Sequence, residues 1–306
     1  MDAIAPRRAR SIDEWNEIRM WLVAPEEAPL RAIKSYRPRP TDVVITPFGK
    51  CGTTWLQQTF HTLRTGGDMD FDDISRVVPW IEMAKVVGVD LDTPQRAEPR
   101  GFKSHLAYDA VPKGAKYVVS LRDPKDALVS MFRFTEGWFF EPGAISIAEF
   151  ARARTLAKPE EPMSYWSHLL SWWAERDNPN VFLTSYECMT DAPEATIRRL
   201  AAFCGIPLDD DLLALTLERT SLAFMLAHKD RFDDLMMRQL SEERCGLPPG
   251  SDSAKVREGR VGGHVKELPA DIAAEMDTIW TRMVTPKTGF DGYGALEAAL
   301  RTNTQA

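Results

Sequence analysis

Short apolar runs alternate along the chain with longer stretches in which apolar residues recur every three or four positions. That alternation predicts strands followed by helices. Residues 42–46 (DVVIT) are almost continuously apolar, which suits a strand buried on both faces of a parallel sheet. After an intervening loop, Trp55, Leu56, Phe60 and Leu63 fall roughly on one helical face and Gly66 supplies a stop, predicting a helix over 53–65. A second unit begins at 116–121 (KYVVSL), where Asp123 is placed as N-cap with Pro124 at the first helical position and the helix runs on through Phe134. A third pairs a strand at 180–185 (NVFLTS) with a helix at 193–204 closed by Gly205. Strands alternating with helices predict one α/β domain with a central parallel β-sheet flanked by helices.

The intervening regions carry weaker patterns. Residues 1–40 are rich in Pro and Arg, with an amphipathic stretch from Trp15 to Leu22, and are expected to pack as an arm on a main domain spanning 41–300. Residues 70–100 and 136–175, rich in Trp, Phe, Met and Pro, are expected to lie as lids or caps over the sheet. Within them Trp138-Phe139-Phe140 and Trp172-Trp173 suit core or lid packing, although the first cluster could also line an apolar ligand pocket. The acidic run Asp209–Asp211 suits the start of a helix better than a metal site.

Composition narrows the function classes. A chain of 306 residues with a formal charge of −7 is a poor match for a nucleic-acid polymer, yet a local basic site can still take a single nucleotide. The N-terminus lacks the apolar core and small-residue cleavage site of a secretory signal. No apolar run approaches the roughly 18 residues needed to span a bilayer. Cys51, Cys188, Cys204 and Cys245 are far apart and form no C-x-x-C pair, so neither zinc site nor disulfide framework is expected, and a cytoplasmic location is the default.

The first candidate for chemistry is the loop Thr46–Thr54. A strand entering a Gly-containing loop and then a helix start presents unsatisfied N–H groups and the positive end of the helix dipole to an anion. Gly49 and Gly52 allow close backbone approach, Lys50 adds charge, and Thr53 and Thr54 add hydroxyl donors. The pattern G-x-x-x-x-G-K-[ST] is absent, because Lys50 precedes Gly52 instead of following it. Taken alone, the segment has the ordinary glycine turn between strand and helix as its alternative. Arg122 ends the second strand and Ser130 follows two turns into the next helix; an Arg with a hydroxyl suits a second phosphate. Near the C-terminus, Arg257-Glu258-Gly259-Arg260-Val261-Gly262-Gly263 could wrap phosphate or serve as a flexible linker. Lys103 and His105, two residues apart on an extended segment, would project to one side, placing a base beside a charge.

Read together, these residues resemble the cytosolic-type sulfotransferases, which use 3′-phosphoadenosine-5′-phosphosulfate (PAPS) as donor, in a bacterial-like branch. Lys50-Cys51-Gly52-Thr53-Thr54-Trp55 is similar to that family's Lys-Ser-Gly-Thr-Thr-Trp loop for the 5′-phosphosulfate. Arg122 to Ser130 resembles its 3′-phosphate motif, and Lys103-Ser104-His105-Leu106 the Lys-Thr-His-Leu segment with the catalytic base. Ser185-Tyr186-Glu187 and Thr220-Ser221 match further donor contacts, and Arg257-x-Gly259-x-x-Gly262 the C-terminal signature. The matches keep the family's order from about residue 40 to residue 265.

The resemblance implies an enzyme that transfers a sulfuryl group in line from PAPS to a hydroxyl of a small-molecule or glycolipid acceptor, without a metal. Adenosine 3′,5′-bisphosphate (PAP) would be the product. It implies catalytic roles for His105 as base, Lys50 at the departing phosphate, Lys103 at the sulfonate and Ser130 as a restraint on Lys50. The donor would be held by Lys50, Cys51, Gly52, Thr53, Thr54, Trp55, Arg122, Ser130, Tyr186, Thr220, Ser221, Arg257, Glu258 and Gly259. The chain departs from the pattern at Cys51 (usually Ser), Glu258 (usually Lys) and Leu222 (often Phe). Gly263 to Lys266 also lacks the usual Asp-Trp-Lys-Asn, so the family's dimer contact is not inferred and a homodimer stays open. An ATP-dependent kinase-like enzyme and a non-catalytic nucleotide-binding protein are the competing readings. The misplaced lysine weighs against the first, and the retention of both Lys50 and His105 against the second.

Overall fold

The computed structural model describes residues 7–22, 27–251, 255–256, 259 and 261–303. Four strands form one parallel sheet in the order β2-β1-β3-β4: β1 is Val43–Ile45, β2 Gly101–Lys103, β3 Lys116–Leu121 and β4 Val181–Ser185. Every strand residue except Lys116 is buried, as near-continuous apolar runs require of a sheet covered on both faces. Three strands lie where the apolar runs predict them, within a residue at either end. The fourth, β2, is only Gly-Phe-Lys, too short to show any period of its own.

This strand order fixes where a ligand can sit. The chain leaves β1 for β2 on one side, then crosses back past β1 to β3. The sheet therefore opens a crevice between the carboxyl ends of β1 and β3, where ligands bind in open α/β sheets. Residues 46–52 leave from β1 at that point and Arg122 leaves from β3.

Local chemistry explains the helix limits. The helix Thr53–Thr65 ends on Gly66 at φ 65, whose N–H bonds Thr62 O. Asp123 caps Pro124–Trp138 by accepting from Lys125 N, and this helix runs one turn beyond the predicted end at Phe134. Gly205 at φ 73 closes Pro193–Cys204, and the Asp209 side chain caps Asp210–Thr220 by accepting from Leu212 N.

Two apolar layers cover the sheet. Leu56, Phe60, Ile197 and Leu200 fill one side, and Phe132, Phe150, Trp166 and Trp172 lie in the layer on the other. Trp138, Phe139, Phe140 and Trp173 are buried in the second layer, so the aromatic clusters of 136–175 serve as core. The N-terminal arm is built into this layer. Trp15, on the helix Ile12–Leu22, packs its ring 5.3 Å from Phe140 and 5.6 Å from Phe150. Ala9 bonds residues 139 and 141 through its backbone at 2.7 and 2.9 Å. Residues 79–81 run along the outer edge of β2, with Lys103 N donating to Pro79 O at 2.8 Å and Ile81 N to Lys103 O at 2.9 Å. That pairing lays Trp80 beside Lys103.

The β2 edge leaves no spare room against the helix behind it. A Cβ on Gly101 would lie 2.2 Å from Cε1 of the fully buried Phe60. Gly101→Ala is expected to cost about 1–3 kcal/mol through overpacking, read as a lowered midpoint in thermal unfolding. An unchanged midpoint would show that Phe60 can give way.

Candidate active site

The end of β1 is fixed from three directions. Thr46 N bonds Val118 O at 2.8 Å, Thr46 Oγ1 donates to Leu106 O at 2.9 Å, and His168 Nε2 lies 3.1 Å from Thr46 O. From this anchor the loop turns through two left-handed residues, Lys50 at φ 69 and Gly52 at φ 92. Glycine takes that conformation freely; lysine does so at a cost, so the surrounding fold imposes it. Gly52 is the N-cap of the helix Thr53–Thr65 and provides no side-chain cap. Thr53 Oγ1 is buried with no hydrogen-bond partner in the protein. An uncapped helix start with an orphaned buried hydroxyl fits phosphate oxygens well.

Cys51 is fully buried, and its backbone N–H is spent on Phe48 O at 3.1 Å while its carbonyl accepts from Ser120 Oγ. Burial pushes its thiol up to about 12, so it is no nucleophile. Its exchange for serine is accommodated inside the loop.

Cations gather over this helix start. Lys50 Nζ lies 3.3 Å from Lys255 O and 4.7 Å from the centre of the Phe134 ring, and these contacts, not Ser130, hold it. Ser130 itself is half-buried in the second turn of its helix. Arg122 Nη1 donates to Lys50 O at 2.9 Å, and its guanidinium lies 4.3 Å over the Tyr186 ring. Burial, then the neighbouring charges of Lys255 and Arg122, pull Lys50 down to about 7. An arriving phosphate would reverse that shift.

Lys103 and His105 meet on Trp80. Lys103 Nζ is 4.0 Å from that ring's centre, and the His105 ring meets it edge-on at 5.1 Å. Lys103 Nζ also lies 2.9 Å from both carboxylate oxygens of Asp234. His105 is held twice: its N–H donates to Glu82 Oε1 at 2.7 Å, and Nδ1 lies 2.8 Å from Pro47 O. Only a protonated Nδ1 can bond a carbonyl, which in the neutral ring leaves Nε2 as acceptor. Burial, then Lys103, lowers His105 to about 3, so the ring is neutral at ordinary pH. His105 lines a pocket together with Leu106, Met163, Ser167, His168 and Ser171. A second, smaller space is lined by Trp80, Met83, Met236, Met237 and Asp234.

Trp55 Nε1 donates to Thr220 O at 3.0 Å, while Thr220 Oγ1 is committed to Thr216 O at 2.7 Å. Ser221 caps the helix Leu222–Ala227. Tyr186 stands between Gly52 and Gly259: added Cβ atoms at those glycines would lie 3.1 Å from its Cδ2 and 3.6 Å from its hydroxyl. Arg257 and Glu258 lie outside the described residues. The segment after them returns to the body on Asp126, which accepts from Gly262 N at 2.6 Å, His264 N at 2.9 Å and His264 Nδ1 at 2.8 Å.

The structure thus brings Lys50, Gly52, Thr53, Arg122, Tyr186 and Gly259 together, with Lys103 and His105 paired on Trp80. Sequence reasoning missed Glu82, Asp234 and Lys255. Asp234 directly precedes a helix that starts Leu235-Met236-Met237, a position typical of a cap, and the other two belong to no spacing pattern. Among the described residues, no group of three or more His, Cys, Asp and Glu is placed to hold a metal ion, and no helix is long and apolar enough to cross a membrane.

The family model described as Sulfotransferase domain matches residues 40–287. The chain belongs to the sulfotransferase family. It is an enzyme of that PAPS-dependent class. Luciferin sulfotransferase of Photinus pyralis is 25% identical, over 90% of this chain and 80% of its own length. Sulfotransferase 1E1 of Bos taurus is 29% identical over 63% of this chain and 68% of its own. The fold is shared with retinol dehydratase in complex with androsterone and PAP (TM-score 0.70, 16% identity, 92% of this chain and 96% of that one). It is shared also with mouse sulfotransferase SULT7A1 complexed with PAP (TM-score 0.66, 20% identity, 93% and 95%). These relatives do not single out a bacterial-like branch.

The lowered Lys50 gives a pH signature. A bound phosphate favours the charged ammonium, so PAP binding should take up a proton once the pH exceeds about 7. PAP affinity is then expected to fall by up to about tenfold per pH unit above that value. Lys103, Arg122, Lys255 and Asp234 are the charged groups that set the shift. Calorimetry in buffers of different ionisation enthalpy reads the proton directly, and Lys50→Met should abolish the uptake. Equal uptake in that variant would assign the proton elsewhere.

Proposed function

We propose that this protein transfers a sulfuryl group from PAPS to the hydroxyl of a small-molecule or lipid acceptor, with His105 as the base. The observation that carries this reading is the His105–Pro47 bond at 2.8 Å, which ties the base to the phosphate-binding loop and orients Nε2 as its acceptor atom. When bound, PAPS supplies the sulfuryl group, and the rest is the work of this chain.

The uncapped helix start, Thr53 and Thr54 hold the 5′-phosphosulfate, with Lys50 beside the bridging oxygen. Arg122, Ser130, Arg257 and Gly259 serve the 3′-phosphate; Trp55, Tyr186, Thr220 and Ser221 border the nucleoside. Lys103 faces the sulfonate oxygens. His105 Nε2 takes the acceptor's proton while the acceptor oxygen bonds sulfur and the bond from sulfur to the phosphate oxygen breaks. Lys50 stabilises the negative charge left on that oxygen. A ring neutral in advance is ready to accept, and proton transfer late in bond formation, beside anionic groups, offsets its low basicity.

The cavity beside His105 supports an acceptor with an apolar body, since Leu106 and Met163 line it, and Ser167 and Ser171 offer hydroxyl partners to a second polar group. We read the sheet as P-loop-nucleotide-hydrolase-like, with residues 1–40 as an arm on a domain reaching residue 300, in a cytoplasmic protein.

The test is a panel of phenols, steroids, aliphatic alcohols and glycolipids incubated with isotopically labelled PAPS, with sulfation read by mass. His105→Ala is expected to fold and bind PAP like the parent while transfer falls about 10²- to 10⁴-fold. Turnover near that of the parent would remove His105 from the mechanism.

A further inference from the structure

Asp234 is placed at some expense. It opens the helix Leu235–Cys245 at φ 50, a left-handed backbone that favours glycine. An aspartate at that position ordinarily caps its own helix, yet this one makes no cap bond. Leu235 N is bonded instead by Asp73 Oδ2 at 2.9 Å. Freed from that duty, the Asp234 carboxylate turns inward and is buried. It accepts from Lys103 through both oxygens at 2.9 Å and from Ser75 Oγ at 2.6 Å, and it pairs with Lys255 Nζ at 2.5 Å.

The consequence for Lys103 is directional. An ammonium has three N–H donors on a flexible four-carbon stem. The Asp234 carboxylate engages the ammonium through both oxygens and the Trp80 ring lies 4.0 Å from Nζ, so the directions left to its remaining donors are restricted. The consequence for Lys255 is connective. Its side chain pairs with Asp234 while its carbonyl accepts from Lys50 Nζ at 3.3 Å. One carboxylate therefore links the lysine on β2 to the lysine of the phosphate loop.

We propose that Asp234 is a positioning residue for the sulfonate end of the donor, aiming Lys103 and keeping it in register with Lys50 through Lys255. The proposal rests on the reading of Lys103 as the group that faces the sulfonate oxygens.

PAP lacks the sulfonate that PAPS carries, so the ratio of the two affinities isolates this end of the donor, and no acceptor is needed. Calorimetric titration of both nucleotides into the parent, Asp234→Asn, Lys103→Ala and the double variant forms a cycle. Asp234→Asn and Lys103→Ala should each lower the PAPS-to-PAP affinity ratio by at least about threefold, and the double variant no further than Lys103→Ala alone. Ser75→Ala, which removes one partner of Asp234 conservatively, should move the ratio the same way by less, and carries the test if Asp234→Asn does not fold. An unchanged ratio in Asp234→Asn, or in Ser75→Ala standing in for it, beside a lowered one in Lys103→Ala would overturn the role of Asp234 and leave the lysine reading intact. An unchanged ratio in Lys103→Ala would sink both. Effects on the ratio that multiply in the double variant would show that Asp234 acts independently of Lys103 and overturn its aiming role.

Discussion

The fold concentrates positive charge over a helix start that has no cap. Lys50, Arg122 and Lys255 come together where Thr53–Thr65 begins, and Lys103 approaches from the edge strand. Each is held by an oxygen of another element, so the cluster cannot disperse without breaking those bonds. Such a group is costly to bury, as the lowered Lys50 shows, and an anion is its natural complement. The short sheet, the crossover past β1 and the left-handed turn at Lys50 all serve to assemble it. An overall charge of −7 is no obstacle, because the field that a ligand meets is the local one.

A second constraint separates acid–base chemistry from anion binding. His105 sits close enough to Lys103 to share the Trp80 ring, and it stays neutral because burial and the charge of Lys103 both disfavour a second proton, while the bond to Pro47 O fixes which nitrogen is left to accept. Glu82 holds the backbone of His105 from behind. Cations for charge and a neutral imidazole for the proton can then work side by side without one titrating the other. That division of labour is what a transfer between two oxygens asks of its protein.

Much of this was legible in the chain because the relevant pieces are continuous. The loop Thr46–Thr54, the segment Lys103–Leu106 and the run from Arg122 each follow a strand end, so strand, turn and chemistry can be read in one pass. Cys51 stands where the family usually has serine, and its side chain is buried within the loop. The unread parts come from distant elements. Asp234 lies 131 residues from Lys103, and nothing local to it announces a charge partner instead of a helix cap. Strand β2 is too short to show a period, and the aromatic runs of 136–175 fit core or lid alike in the sequence, a choice decided by the helix Ile12–Leu22 packing on them. Ser130 was given Lys50 as partner by resemblance; here the lysine turns to Lys255 O and Phe134.

The central claim is that the cation cluster is built for a nucleotide bearing separate 3′- and 5′-phosphates without metal assistance. Thermal unfolding with PAP in the presence of a chelator, set against ATP with magnesium, tests it most directly. At a PAP concentration about a hundredfold above its dissociation constant, stabilisation should reach about 2.7 kcal/mol, with a clear rise in the unfolding midpoint, while magnesium and ATP give little or none. Stabilisation by magnesium and ATP alone, with PAP inert, would contradict it.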